Sequence, residues 1–130
     1  MILIKAGVKG EPDVPSFTRI FEYRNKSDEQ IFFDSVELIK RKLAKNLRLN
    51  TNESLVLYCG YVVDHLRACI SIDSIEKNSS KILSPNKVMI GVPETLRIIS
   101  FEVILDSIPK KKITFREPIP TMSYSMALDR

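Results

Sequence analysis

The stretch at 96–105, LRIISFEVIL, limits the possible folds more than any other part of the chain. Alternation puts Ile99, Phe101, Val103 and Leu105 on one side and Ile98 and Ile104 on the other. A strand apolar on both faces belongs in the middle of a sheet, so the chain must supply neighbours for both of its edges. Residues 2–8 carry alternating apolar positions at Ile2 and Ile4, and residues 17–24 place Phe17, Arg19, Phe21 and Tyr23 on one face. Gly10, Pro12 and Pro15 lie between these runs and predict an irregular connection, hence a wide hairpin whose second strand is an edge or is partly covered. Beyond Pro109, the cations Lys110, Lys111 and Lys112 lead into another short strand, ITFRE.

One main helix is predicted after the hairpin. Asp34 serves as its N-cap, Glu37 stands three residues on as in a capping box, and Phe33 and Leu38 are spaced as a hydrophobic staple. Val36, Ile39, Leu43 and Leu47 recur at helical spacing and form its buried stripe. Lys40, Arg41, Lys45 and Arg48 occupy the opposite face with Lys42 at its margin, which reads first as a solvated surface and second as a candidate contact for nucleic acid or an acidic partner. The next run, LVLYCGYVV, is rich in β-formers and is interrupted at Gly60, so a bent strand ending in a turn at Asp64 and His65 is expected. The run 68–72, the short segment DSIEK and a loop-rich insertion over about 78–95 then form an irregular crossover to the long strand.

The chemistry-bearing residues are few. Cys59 and Cys69 are ten positions apart without a Cys-x-x-Cys pairing, and His65 is the single histidine, so neither a zinc site nor a disulfide is expected. A Cys–His nucleophile would need an orienting third group that the sequence does not show, and Glu22, Asp28, Glu29 and Asp34 with Lys26 match no nuclease spacing. The glycines are isolated, which excludes a phosphate-binding loop. The reading is therefore of no enzyme, no metal and no cofactor. With 130 residues, 44% of them hydrophobic, the chain builds one core. The net charge of +4 comes from 20 Lys and Arg against 16 Asp and Glu, which permits nucleic-acid binding without requiring it. No membrane span or secretory signal is read, and an intracellular protein, cytoplasmic or nuclear, is expected.

The segment from Ser35 to Ile75, with its Lys- and Leu-rich helix and its Leu-Tyr-Cys-Gly run, resembles the middle of a ubiquitin-like β-grasp domain. It is most similar to the RAWUL domains of Polycomb RING-finger proteins and to elongin B. The resemblance implies an α+β fold with a mixed sheet on one main helix, a domain over 1–108 and a C-terminal extension over 109–130. It further implies a non-catalytic adaptor with a protein partner; a small nucleic-acid-associated protein of viral matrix-like type is the alternative. Leu57, by resemblance on an open sheet face beside Tyr58 and Tyr61, is the expected anchor, with Met126 and Leu128 of the tail as a second contact. Lys110, Lys111 and Lys112 join the helix cations as a candidate basic contact.

Overall fold

A computed structural model describes residues 1–120 of the chain as an α+β fold with one sheet and helices on one of its faces. The order is β1 (Ile2–Lys9), β2 (Phe17–Tyr23), α1 (Lys26–Ala44), α2 (Thr51–Arg67), α3 (Ile72–Lys77), α4 (Val92–Thr95), β3 (Ile98–Leu105) and β4 (Ile108–Arg116). The sheet has four strands in the order β2-β1-β3-β4. Every pairing is antiparallel, from Ile2↔Tyr23 to Val8↔Phe17, from Ile2↔Leu105 to Lys9↔Ile98, and from Ile98↔Arg116 to Leu105↔Ile108 with a bulge. The mixed sheet on one helix is thus replaced by an antiparallel sheet under two long helices.

The expected centre of the sheet is occupied as read, since β3 lies between β1 and β4. Only one of its faces is buried. Ile99, Phe101, Val103 and Leu105 are 0–1% exposed, whereas Ile98 and Ile104 are half-buried because no layer among the described residues packs over the other face. The inward residues of β1, namely Ile2, Ile4, Ala6 and Val8, join them in the core. β4 continues past residue 108 and crosses the expected domain boundary, and Lys110 to Lys112 are part of it.

The largest correction is at 51–67, where the expected bent strand is the helix α2. Asn50 caps it: its side chain accepts from the Glu53 amide at 2.8 Å, and the Glu53 carboxylate accepts from the Asn50 amide at 3.0 Å. This reciprocal capping box fixes the start of a helix. Leu55, Tyr58, Cys59, Val62, Val63 and Leu66 then follow helical spacing and are all buried. The helix touches α1 on one side and the sheet on another, so little of its circumference is left for the polar stripe that would have marked the period.

α1 also begins earlier than expected. Asn25, not Asp34, is the cap and accepts from the Asp28 amide at 2.9 Å. Asp34 lies inside the helix and accepts from Gln30 at 2.8 Å. Of the predicted stripe Val36 and Ile39 are buried and Leu43 partly so, but Leu47 lies beyond the helix end and is 49% exposed; Leu38 of the staple points outward. Both helices close alike. The amides of Asn46 and Leu47 donate to the Leu43 and Lys42 carbonyls, and those of Cys69 and Ile70 to Leu66 and His65, with Asn46 and Cys69 left-handed at φ 61° and 59°. This is the Schellman closure.

Two contacts set the helix layer. Gly60 of α2 meets α1 so closely that an added Cβ would lie 2.8 Å from Val36 Cγ2. Tyr58 turns its ring edge onto Phe115 at 5.6 Å, and Phe115 meets Phe101 at 5.0 Å, while Phe32 of α1 meets Tyr23 at 5.1 Å. Gly60→Ala gains about 1 kcal/mol of helix propensity but overpacks a stiff β-branched neighbour by about 1–3 kcal/mol. We expect it to lower the melting temperature and Val36→Ala in the same chain to restore part of the loss; two independent, additive losses would remove this contact from the account. The Tyr58 hydroxyl is buried without a hydrogen-bond partner among the described residues. Tyr58→Phe is therefore expected to be neutral or stabilising by about 1 kcal/mol in denaturant titration, and a loss of that size would mean that the hydroxyl is paired.

Candidate functional site

No reacting constellation is assembled among the described residues. Burial pushes the Cys59 thiol well above its ordinary value, so it stays protonated and inert inside α2. Cys69 is exposed on the turn after α2, and both cysteines are free thiols. The His65 ring stacks on Tyr61 with centroids 3.8 Å apart, and its Nδ1 lies 2.8 Å from the Tyr61 carbonyl. Among the described residues no group of three or more His, Cys, Asp or Glu side chains is placed to hold a metal ion. None of their helices is long and apolar enough to cross a membrane.

The expected protein-binding residues fall in other places. Leu57 is 6% exposed and Tyr58 0%, both in the core, because the segment is a buried helix rather than an open strand. Tyr61 is half-buried, with its ring toward Phe115. Met126 and Leu128 lie outside the described residues. Lys40, Arg41, Lys45 and Arg48 are exposed on or just beyond α1, with Lys40 3.4 Å from Glu37. Lys110 and Lys112 are exposed on β4 and Lys111 is half-buried. The structure does not bring the two basic groups together, since α1 packs toward β2, at the opposite edge of the sheet from β4.

What the fold does present is a braced apolar knob that the sequence reading passed over. Between α3 and α4 the chain returns to Leu49: the Leu49 amide donates to the Lys87 carbonyl at 2.9 Å and the Met89 amide to the Leu49 carbonyl at 2.8 Å. Leu49 and Val88 are both buried, so this bridge is anchored in the core. The chain then turns through Gly91 at φ 93°, where Met89 and Ile90 stand out, 46% and 97% exposed. Two adjacent large apolar side chains are thus held in water by a fixed backbone. The available signal was local: two large apolar residues ahead of a glycine in a turn-rich stretch.

Charges tie down the other end of α2. Arg67 at the end of α2 donates to Glu29 of α1 at 2.8 Å and to Asp106 of the β3–β4 turn at 3.4 Å, and the Met1 amino group pairs with the same two carboxylates. The Arg67 guanidinium, with the Met1 amine adding to it, holds the Glu29 carboxyl below the usual carboxylate range. A depressed carboxyl adds stability above the unfolded value, near 4.3, and loses it as pH falls through the folded value. Arg67→Gln should lower the melting temperature at neutral pH and flatten its fall between about pH 5 and 3. An unchanged acid limb would show that Glu29 does not report this pair.

Residues 23–119 match the family described as urease, gamma subunit. The urease gamma subunit of Halalkalibacterium halodurans is 34% identical over 93 residues, covering 70% of this chain and 91% of that protein. The gamma subunits of Laribacter hongkongensis and Prochlorococcus marinus are 24% and 27% identical over 92 and 94 residues, each more than nine-tenths covered. The family match takes in both long helices, the braced loop, β3 and β4. These matches overturn the resemblance to RAWUL and elongin B domains, and with it the reading of a ubiquitin-like, non-catalytic adaptor that is no part of an enzyme. The nucleic-acid-associated alternative falls on the same ground. The misreading has one root, since the Leu-Tyr-Cys-Gly run that carried the resemblance is helical.

Proposed function

The chain belongs to the urease gamma-subunit family, and from that premise we propose that it is a subunit of a multisubunit urease, the enzyme that hydrolyses urea. The family match across about three quarters of the chain carries this reading. A subunit is defined by its contacts, and the exposed Met89 and Ile90, inside the matched region and fixed by the Leu49 bridge, support this reading as an apolar anchor that a neighbouring subunit would cover. Anchors of this kind dominate the energy of an interface when water is excluded around them.

Expression of the remaining subunits from the same source, with and without this chain, tests the reading. We expect the chain to co-purify in fixed stoichiometry and ammonia release from urea to depend on it. Ile90→Asp should keep the melting temperature, because the residue is already in water, and weaken assembly by about 2 kcal/mol or more. Full activity without the chain would overturn the reading, whereas normal assembly of Ile90→Asp would move the contact off this loop.

A further inference from the structure

Half of the sheet lies outside the family match. Residues 1–22 precede it, yet they form β1 and nearly all of β2, and they turn what would be a β3–β4 pair into a four-stranded sheet. Both long helices lie on the inner face, so the hairpin enlarges an outer face that nothing among the described residues covers. The register defines that face. Lys5 stands beside Ile20 on one side and Glu102 on the other, and Glu102 stands beside Lys112; one pair along, Leu3 lies between Glu22 and Ile104.

The charge on this face is one-sided. Glu22 is already paired with Arg24 at 2.8 Å and Glu102 with Lys110 at 3.3 Å. Lys5, Lys9, Lys112 and Arg116 point outward without an ion-pair partner among the described residues, and all four are exposed. Lys110 holds the Glu102 carboxyl below the usual range, and Lys112 and Lys5 add to the effect, as a positive field across the face requires. On the edge strand β2, next to half-buried Leu3, Ile20 is 63% exposed.

We propose that this outer face docks an acidic patch on another subunit of the enzyme, with Ile20 as its apolar anchor and the unpaired cations as its complement. The proposal rests on the urease-subunit reading above and adds a contact that the family portion alone does not provide, because Lys5, Lys9 and Ile20 all belong to the added hairpin. A protein surface fits better than a nucleic acid. A duplex backbone offers phosphates to the cations but would leave Ile20 uncovered.

The test titrates the full chain into the remaining subunits of the urease from the same source, purified without it. Lys5→Glu with Lys112→Glu should weaken binding about tenfold or more at low salt, with a smaller difference at high salt, and Ile20→Glu should weaken it at all salt concentrations. Lys5→Arg with Lys112→Arg should bind as the wild type does. Melting temperatures check the fold; if the first pair melts early, Lys9→Glu with Arg116→Glu carries the same test from the far end of the face. Wild-type affinity in both charge-reversed pairs and in Ile20→Glu would overturn the proposal and leave the subunit reading standing. Failure of the wild type to bind would overturn both. Salt-dependent binding of a short DNA duplex that Lys5→Glu with Lys112→Glu abolishes, with subunit binding unaffected, would assign the face to nucleic acid instead.

Discussion

The fold depends on the position of α2, which touches α1 on one side and the sheet on another. Its approach to α1 is set at Gly60, where the absence of a side chain lets Val36 come into contact. Its seat on the sheet is set by Tyr58, edge-on to Phe115, which in turn packs on Phe101. Nine of its residues are buried, and the buried Ser54 is satisfied within the helix by donating to the Asn50 carbonyl at 2.8 Å. With α2 fixed over β4, α1 falls over β2, as the Phe32–Tyr23 contact shows. One face of the sheet is then covered except towards the outer end of β2, and the other carries no layer among the described residues.

The same burial explains what the sequence concealed. β1, β2 and β3 are legible because apolar residues recur at alternate positions along each buried face, with polar residues such as Lys5, Thr18 and Ser100 at some of the positions between. α2 has little wet surface, and a helix buried nearly all round reads as an unbroken apolar run, which tyrosine and valine tilt towards strand. The decisive signal was the pair Asn50 and Glu53, three apart at the head of that run. A similar pair, Asp34 and Glu37, lies inside α1, so spacing alone does not separate a cap from two exposed helix residues. The misplaced anchor at Leu57 follows from the misassigned segment. The lysines of β4 were noticed as a charge run, but their alignment with Lys5 depends on the β1–β3–β4 register, which no local pattern encodes.

Two arginines brace opposite ends of β3. Arg67 reaches the turn after it through Asp106, and Arg97, just before it, donates to Glu11 at 2.9 Å and also pairs with Glu117. Glu11 belongs to the connection between β1 and β2, and its amide donates to the Glu94 carbonyl at 3.0 Å. The added hairpin is therefore tied to the matched region by charge and backbone as well as by strand pairing. Exposed pairs of this kind contribute little singly, but a shared arginine at each end fixes register more than it adds energy.

That integration decides which surface remains available. Without β1, the edge of β3 would present unpaired amides and carbonyls beside apolar residues, the arrangement that invites edge-to-edge pairing with another chain. β1 fills this edge along its whole length and sinks Ile2 and Ile4 into the core, each side chain worth about 1.5–3 kcal/mol on burial. The new edges are both blunted. On β4 the Thr114 amide donates to Glu76 of α3 at 2.7 Å, and β2 carries the charges of Arg19 and Glu22 with Arg24 just beyond it. Strand addition is disfavoured at both edges, whereas the outer face carries no covering layer among the described residues.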